Sequence, residues 1–186
     1  TTVTSVYLIC IESTGVTNMY AMFWKATNLS SINLNGWETP NLTSLNRTFE
    51  QTKITSIDLS LFDFSKVTDT TATFYNCPAL QTIYVAPDAS FASVTVSTSM
   101  FYNCTSLKGG AGTNFDGTNH IDISGACIDR VANTGTWGIS TGYLTSYVKT
   151  CRNTRTITEY TFLDQAIEDA VAGDTIEVFA NSQEAL

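Results

Sequence analysis

Charged residues and histidine are scarce in this chain of 186 residues. Only 14% of the residues are charged, and 17 acidic side chains outnumber 9 basic ones, which gives a formal net charge of −8. This balance argues against a nucleic-acid partner, whose phosphates would be repelled, and against docking on anionic lipid. His120 is the single histidine, which excludes histidine-rich metal sites and leaves little material for Ser-His-Asp or Cys-His catalysis.

Long apolar runs are also missing, although 43% of the residues are hydrophobic, as in a folded domain. No stretch has the length of a transmembrane helix, and none resembles a signal peptide. Threonine and serine make up about a quarter of the chain, and their hydroxyls keep a surface hydrated without many charges. We therefore expect an extracellular or cell-surface protein, with any export signal lying outside these residues.

Phenylalanine recurs every 25 to 27 residues, at Phe23, Phe49, Phe74 and Phe101. Apolar residues at fixed offsets recur with it, and such self-similarity indicates a stack of structural repeats. The segment 3–8 matches the segment 54–59, so we expect the first residues to lie in the middle of a repeat.

Each repeat joins two patterns. The segment 29–34 ends in a period-two alternation of apolar residues, which predicts a short strand with one buried face. The segment 19–23 has apolar residues at i, i+3 and i+4, which predicts one or two helical turns. A threonine precedes each phenylalanine by six residues, where a helix N-cap would stand: Thr17, Thr43, Thr68 and Thr95.

One repeat cannot bury its own apolar face, but stacked repeats can, with their strands pairing in parallel and the phenylalanines forming an internal ladder. The predicted fold is therefore α/β, a leucine-rich-repeat-like solenoid of short parallel strands and short helices with coils of about 25 residues. We expect three parts: a repeat array over 1–108, a closing cap over 109–150, and a C-terminal helix–strand unit over 151–186.

Two phrases of the array resemble a known family. The segments 57–69 (IDLSLFDFSKVTD) and 100–107 (MFYNCTSL) are similar to the BspA-type leucine-rich repeats of bacterial surface proteins. The pair Ile128-Asp129, followed by the segment 142–145 (GYLT), resembles the closing element of such arrays. The resemblance implies an adhesion role toward host matrix or other bacteria. Thr70 and Thr73 stand where the family has methionines, so the third repeat departs from the pattern.

The cysteines leave their redox state open. Cys77 and Cys104 share one repeat position, three residues after the phenylalanine, so stacking would bring them within disulfide reach or leave them as buried thiols. We favour thiols, because in-register parallel neighbours seldom have good disulfide torsions. Cys127 and Cys151 could pair, and Cys10 has no evident partner. No Cys-x-x-Cys motif indicates a zinc site.

The C-terminal part has different signals. A helix is predicted from Thr161 to the stop at Gly173, followed by a strand over 176–179. This phrase resembles the entry of a right-handed parallel β-helix, and a local closing flap is the equal alternative. Upstream, the glycines of 109–112 lack the lysine of a phosphate-binding loop and predict a flexible turn, while Ile121–Ile123 and the region 137–147 suggest short strands.

Catalytic candidates are weak. His120 lies in a polar, glycine-rich stretch typical of a surface loop. Asp58 and Asp63 are close in sequence, but a lone repeat aspartate does no acid–base work. The trio Asp116, Asp122 and Asp129 supplies oxygen ligands for calcium, yet the spacing fits no EF-hand loop. We expect no enzyme, no metal and no cofactor.

Two rows of residues should align on the surface of the stack. The residue between the last two apolar positions of each strand should face outward, which gives a sheet-face stripe of Tyr7, Asn33, Asp58 and Tyr84. The residue after each phenylalanine forms an aromatic row of Trp24, Glu50, Tyr75 and Tyr102. Aromatic faces beside hydrogen-bonding groups suit sugar or peptide recognition, and ordinary solvated repeat surface is the alternative for both rows.

The functional prediction is a non-enzymatic adhesion or spacer module that binds through the exposed face of the solenoid. Its partner would be a surface protein or glycan of a host or neighbouring cell, or another copy of itself, without direct membrane insertion. Many shallow contacts would make avidity important. Two alternatives remain: a structural subunit of a virion or surface filament, and an accessory domain of a larger carbohydrate-active protein.

Overall fold

The computed structural model describes residues 2–9, 12–129 and 142–146, and the backbone of three later strands over 150–153, 158–160 and 176–179. The chain divides into two compact units, Thr1–Ser146 and Tyr147–Leu186. The repeats all belong to the first unit, together with part of the region that was expected to close the array.

Short parallel strands form the sheets of the first unit. The strands are β1 (Ser5–Tyr7), β2 (Ser31–Asn33), β3 (Ser56–Leu59), β4 (Thr82–Val85) and β5 (Leu144–Ser146). β1 pairs with β2 in one sheet, and β3, β4 and β5 pair in that order in a second sheet. Ile57 lies opposite Ile83 and Leu59 opposite Val85, all of them buried. The predicted parallel strands with one buried face are confirmed.

The recurrent phenylalanines form a ladder in the core. The rings of Phe23, Phe49, Phe74 and Phe101 stack with centroid separations of 5.7, 5.3 and 5.9 Å and interplanar angles of 11°, 8° and 4°. All four side chains are buried. A buried aromatic side chain removes roughly 150–250 Å² from water, so the ladder supplies a large part of the apolar contact between repeats.

The helical turns that we predicted from the segment 19–23 and its equivalents are wrong. These segments are consecutive tight turns, and the 3₁₀ helix Ile123–Gly125 is the one helical element among the described residues. The N–H of Met22 bonds to the Met19 carbonyl at 3.2 Å within its own repeat, but the N–H groups of Met19 and Phe23 donate to Ser44 and Thr48 of the next repeat, at 3.0 and 2.9 Å. A helix would keep all of these bonds inside one segment.

The backbone of the turn segments explains this alternation. Two residues of each segment have positive φ, and these are Ala21, Lys25, Arg47, Gln51, Ala72, Asn76, Ser99 and Asn103. A left-handed residue on either side of the phenylalanine reverses the chain and turns every second N–H toward the next repeat. The apolar spacing that resembles a helix face is equally compatible with this string of turns.

The recurrent threonines are not helix N-caps. The hydroxyl of Thr43 donates to the Thr17 carbonyl at 2.9 Å, and Thr68 and Thr95 each donate to the preceding threonine's carbonyl at 3.3 Å. The repeat position therefore holds a ladder of hydroxyl-to-carbonyl bonds between neighbouring repeats. No helix begins there, because the segment that follows is built from turns.

Cys77 and Cys104 are free, fully buried thiols, as we favoured from the sequence. Each thiol donates to the carbonyl of a ladder phenylalanine one repeat earlier, Phe49 and Phe74, at 3.0 Å. Burial raises the pKa of both thiols, which keeps them protonated. Cys127 is also free but exposed; Cys10 and the side chain of Cys151 lie outside the described residues.

The predicted closing element contacts the last repeat. Leu144 of β5 bridges to Ile128 and continues the sheet beyond β4. The ring of Tyr143 stands edge-on against Phe101, the last ring of the ladder, with centroids 5.5 Å apart at 84°. A Cβ on Gly142 would lie 2.2 Å from the Cys127 carbonyl oxygen, so only glycine fits there. Ile121–Ile123 forms no strand, contrary to expectation.

The second unit contains an antiparallel sheet. Its strands are β6 (Thr150–Asn153), β7 (Thr158–Tyr160) and β8 (Ile176–Phe179), in the order β7-β6-β8. The strand predicted over 176–179 is present, while the helix predicted after Thr161 lies outside the described residues. Both pairings are antiparallel, so they do not match the parallel β-helix that the sequence resembled.

Candidate functional site

The sheet-face stripe falls into two pairs. Tyr7 lies opposite Asn33 in the first sheet, and Asp58 lies opposite Tyr84 in the second. Tyr7 is 66% exposed, whereas the other three side chains are half-buried. The structure therefore brings the predicted residues together pairwise, in neighbouring sheets.

Local turns use part of the polar capacity of this stripe. A side-chain oxygen of Asn33 accepts the N–H of Asn35 at 2.9 Å, and one of Asp58 accepts the N–H of Ser60 at 2.9 Å. Such bonds from a side chain to the backbone two residues on shape the end of a strand. The second carboxylate oxygen of Asp58 and the ring of Tyr7 are the groups best placed for a partner.

The aromatic row is the more unusual surface. Tyr75 and Tyr102 stack with centroids 5.0 Å apart at 16°, and Tyr102 is 45% exposed. Trp24, which is 44% exposed, carries the Lys25 ammonium 4.4 Å above its ring. Exposed aromatic side chains in one row are candidates for contact with another molecule.

Glu50 interrupts this row because it is buried. The residue is only 4% exposed, and its carboxylate contacts Arg47 Nη1 at 3.2 Å and Gln51 Nε2 at 3.0 Å. A pocket of about 410 Å³ lies here, lined by these three side chains, by Tyr75 and by small residues of the following repeats. Sequence reasoning placed Glu50 in the row but missed Arg47 and Gln51.

A second, larger groove lies beyond the strands. It measures about 580 Å³, and its lining includes Glu38, Asp63, Asp88, Phe62 and Phe64. Hydrogen bonds from Ser65 lower the pKa of Asp63, which keeps it ionised, although its own turn already uses that carboxylate. Asp58 and Asp63 do not share this groove, so they form no catalytic pair there.

The proposed calcium ligands serve separate turns. Asp116 accepts the N–H of Thr118 at 2.9 Å, and Asp122 accepts that of Ser124 at 2.9 Å. Across the part of the chain that the structure describes, no cluster of potential metal ligands is present. His120 lies on the surface with Nδ1 3.8 Å from an Asp116 oxygen.

Asp129 occupies the glycine-rich turn that we compared with a phosphate loop. Its Oδ2 accepts the N–H groups of Ala111 and Thr113, both at 2.9 Å, and its Oδ1 accepts the Thr113 hydroxyl at 2.7 Å. A Cβ on Gly109 would lie 2.4 Å from Asp129. The turn thus wraps around the side chain of Asp129, and no phosphate is needed to satisfy its N–H groups.

Comparisons with known proteins give one match. The family model described as "Mycoplasma protein of unknown function, DUF285" matches residues 10–115, more than half of the chain. No curated protein and no solved structure matches the chain. In the described residues, no helix has both the length and the apolar composition needed to cross a membrane.

Proposed function

Because the chain belongs to the family described as "Mycoplasma protein of unknown function, DUF285", which brings no activity with it, we propose a function from the chain's own surface. The protein is a non-enzymatic adhesion or spacer module of the cell surface. Its repeats form a solenoid of the BspA-like leucine-rich type, and an exposed face of that solenoid binds a surface protein or glycan.

The observation that carries this proposal is the separation of core and surface positions in the repeats. Phe23 and Phe101 are buried in the ladder, while Trp24 and Tyr102, the residues that follow them, are exposed. Glu50 is the buried exception. Backbone and threonine bonds link the repeats without using the side chains of the sheet-face stripe or the aromatic row. A stack of this kind presents many similar shallow positions along one face, which suits multivalent binding.

The sheet-face stripe is the first recognition surface to test. Purified protein would be displayed in many copies on fluorescent beads and applied to cultured epithelial cells. We expect the beads to bind, and Tyr7→Ser with Tyr84→Ser to reduce the bound fraction by about tenfold, since multivalency amplifies a modest loss per site. The single variant Tyr20→Ser is the matched control, because Tyr20 is 62% exposed and belongs to a turn segment outside the stripe.

Equal thermal unfolding of the three proteins would establish that the stripe variants are folded. Undiminished cell binding by the folded double variant would reject the stripe as the recognition surface. Beads that bind no cells would reject adhesion itself. The mass of the protein in solution provides the remaining test, because an ordered oligomer would favour the structural-subunit alternative.

A further inference from the structure

The pocket beside Glu50 interrupts the regularity of the repeats at two positions. Two residues before the phenylalanine, the other repeats have Ala21, Ala72 and Ser99, whereas the second repeat has Arg47. One residue after the phenylalanine, the aromatic row is broken by Glu50. Both exceptional side chains line the same pocket of about 410 Å³, a size within the usual range of roughly 300–1,000 Å³ for small-ligand sites.

A buried carboxylate is a costly choice at this position. The Glu50 side chain is 5% exposed, and taking a carboxylate out of water is unfavourable unless partners compensate for the lost hydration. Arg47 is only half-buried, and an ion pair that is open to solvent on one side contributes little to stability. The neighbouring repeats place aromatic rings here and still stack. The pair therefore needs a reason other than packing.

Ligand binding is such a reason, because a ligand in solvent can reach the Arg47 side of the pair. Arg47 is 43% exposed at its side chain, and its guanidinium has five N–H donors, most of which remain available beside the single contact to Glu50. Gln51 adds an amide, and Thr71, Thr98 and Ser99 add hydroxyls. Donors and acceptors thus converge in one concave place, next to the ring of Tyr75.

The balance of charge selects the class of ligand. The carboxylate and the guanidinium neutralise each other, so the pocket favours neither an anion nor a cation. Vicinal hydroxyl groups, each able to donate and accept, match a carboxylate beside a guanidinium and an amide. The apolar C–H face of a sugar ring matches the face of an aromatic side chain. Tyr102 stacks on one face of Tyr75, which supports that ring at the edge of the pocket.

We propose that the pocket formed by Arg47, Glu50, Gln51 and Tyr75 binds a neutral saccharide unit of a glycan. The inference rests on the adhesion function proposed above and adds a ligand class to it. The pocket lies among the turn segments around the ladder phenylalanines and not on the sheet-face stripe. Affinity for one unit should be in the millimolar range, as expected for a shallow site with few contacts.

The test is a titration of the isotopically labelled full chain with the methyl glycosides of galactose, mannose and N-acetylglucosamine, followed by NMR. We expect at least one of them to shift the amide signals of the segment 47–51. Glu50→Gln should weaken its binding by about tenfold, because a neutral acceptor bonds hydroxyls less strongly than a carboxylate. Tyr75→Ala should weaken it by about fivefold, and Tyr75→Phe should stay within about twofold, since the ring face is retained.

Tyr20→Ser is again the control and should bind as the parent does, because Tyr20 lies outside the pocket. Thermal unfolding would verify that each variant is folded. Absence of any shift at millimolar sugar, or binding that Glu50→Gln and Tyr75→Ala leave unchanged, would overturn the inference. Stronger binding of a sialylated glycoside than of neutral ones would overturn the neutral class.

Failure of this inference can be told apart from failure of adhesion. Beads that bind cells through the stripe, combined with no sugar-induced shift, would reject the saccharide site alone. Loss of both responses would reject the adhesion function and the site together.

Discussion

Ala21→Gly should leave the protein at least as stable as the parent, even though the segment around Ala21 has the sequence pattern of a helical turn. Ala21 has a φ of 54°, in the left-handed region, and its N–H donates to the Asn46 carbonyl of the next repeat at 2.9 Å. Glycine keeps that hydrogen bond and adopts this φ without steric cost. The substitution therefore distinguishes a turn from a helix by the sign of the stability change.

The magnitude follows from opposing terms. A left-handed conformation costs an L-residue about 1–2 kcal/mol, which glycine removes. Glycine also increases the entropy of the unfolded chain, which lowers the stability by about 0.4–1 kcal/mol. Loss of the half-buried methyl of Ala21 lowers it further, by a fraction of the ~0.8 kcal/mol of a fully buried carbon. The mid-range values of these terms leave a net change of about 0.4 kcal/mol in favour of glycine. In a helix, the same change would cost about 1 kcal/mol.

Two further variants sharpen the test. Ala21→Val should cost about 2 kcal/mol or more, because a β-branched residue is a severe outlier at positive φ; in a helix it would cost less than about 0.7 kcal/mol. Ala26→Gly is the matched control, since Ala26 is also half-buried but has no positive φ. It should lose about 0.5–1 kcal/mol, as glycine normally does.

Equilibrium unfolding in urea gives the free energies directly, and thermal unfolding gives a parallel measure, with ~2–4 °C expected for 1 kcal/mol at this chain size. The reasoning fails if Ala21→Gly is destabilised as much as Ala26→Gly while Ala21→Val is nearly neutral. That outcome would mean that the turn segments are helical in solution.

Two other predictions concern the thiols and the carboxylates. Site-resolved alkylation should label Cys127 under native conditions and Cys77 and Cys104 only after unfolding, because burial raises the pKa of the last two; rapid native labelling of Cys77 would contradict their burial. Burial alone would raise the pKa of Asp69, but hydrogen bonds from Thr71 and Asn46 outweigh it and lower that pKa. A lowered pKa adds stability that is complete above the unfolded-state value and is lost as the pH falls through the folded-state value. The free energy of unfolding should therefore fall below about pH 4, and an unchanged fall in Asp69→Asn would refute this role.

The parts of the fold that follow from one repeat period could be predicted from the sequence. Phe49 and Phe74 had to meet once the repeats were stacked, because equal spacing places equivalent residues side by side. The strands were equally clear, since Ile57 and Leu59 alternate with polar residues and alternation has no helical equivalent. These predictions needed periodicity and burial alone.

The helical turns could not be excluded in the same way. Apolar residues at i, i+3 and i+4 describe one face of a helix and also the inner side of successive turns. The distinguishing feature is positive φ, and the sequence signals it only at Asn76 and Asn103, because asparagine tolerates that region. Ala21 and Lys25 give no such signal, so tertiary hydrogen bonds across the stack decide their conformation.

Only part of the candidate site around Glu50 could be predicted from the sequence. Register alone placed Glu50 between Trp24 and Tyr75, and the same alignment would have flagged Arg47 as the one long side chain in its column. The register of the repeats could not show how deeply each side chain is buried. Glu50 is buried and Tyr102 is not, although both stand one residue after a ladder phenylalanine. Glu50 contacts Arg47 and Gln51, and an alignment of the repeats does not show such contacts between neighbours.

The side chain one residue after each ladder phenylalanine can change while the contacts between repeats stay the same. The stack is held by the ladder rings, by hydroxyls such as that of Thr43 and by backbone bonds that alternate between a repeat and the next. None of these uses the side chain one residue after the ring. That column can therefore carry an indole at Trp24, a carboxylate at Glu50 or a phenol at Tyr102 while the repeats keep their contacts. A surface whose chemistry is independent of its support can acquire a new ligand by one or two substitutions, and the pair Arg47 and Glu50 is what such a step would look like.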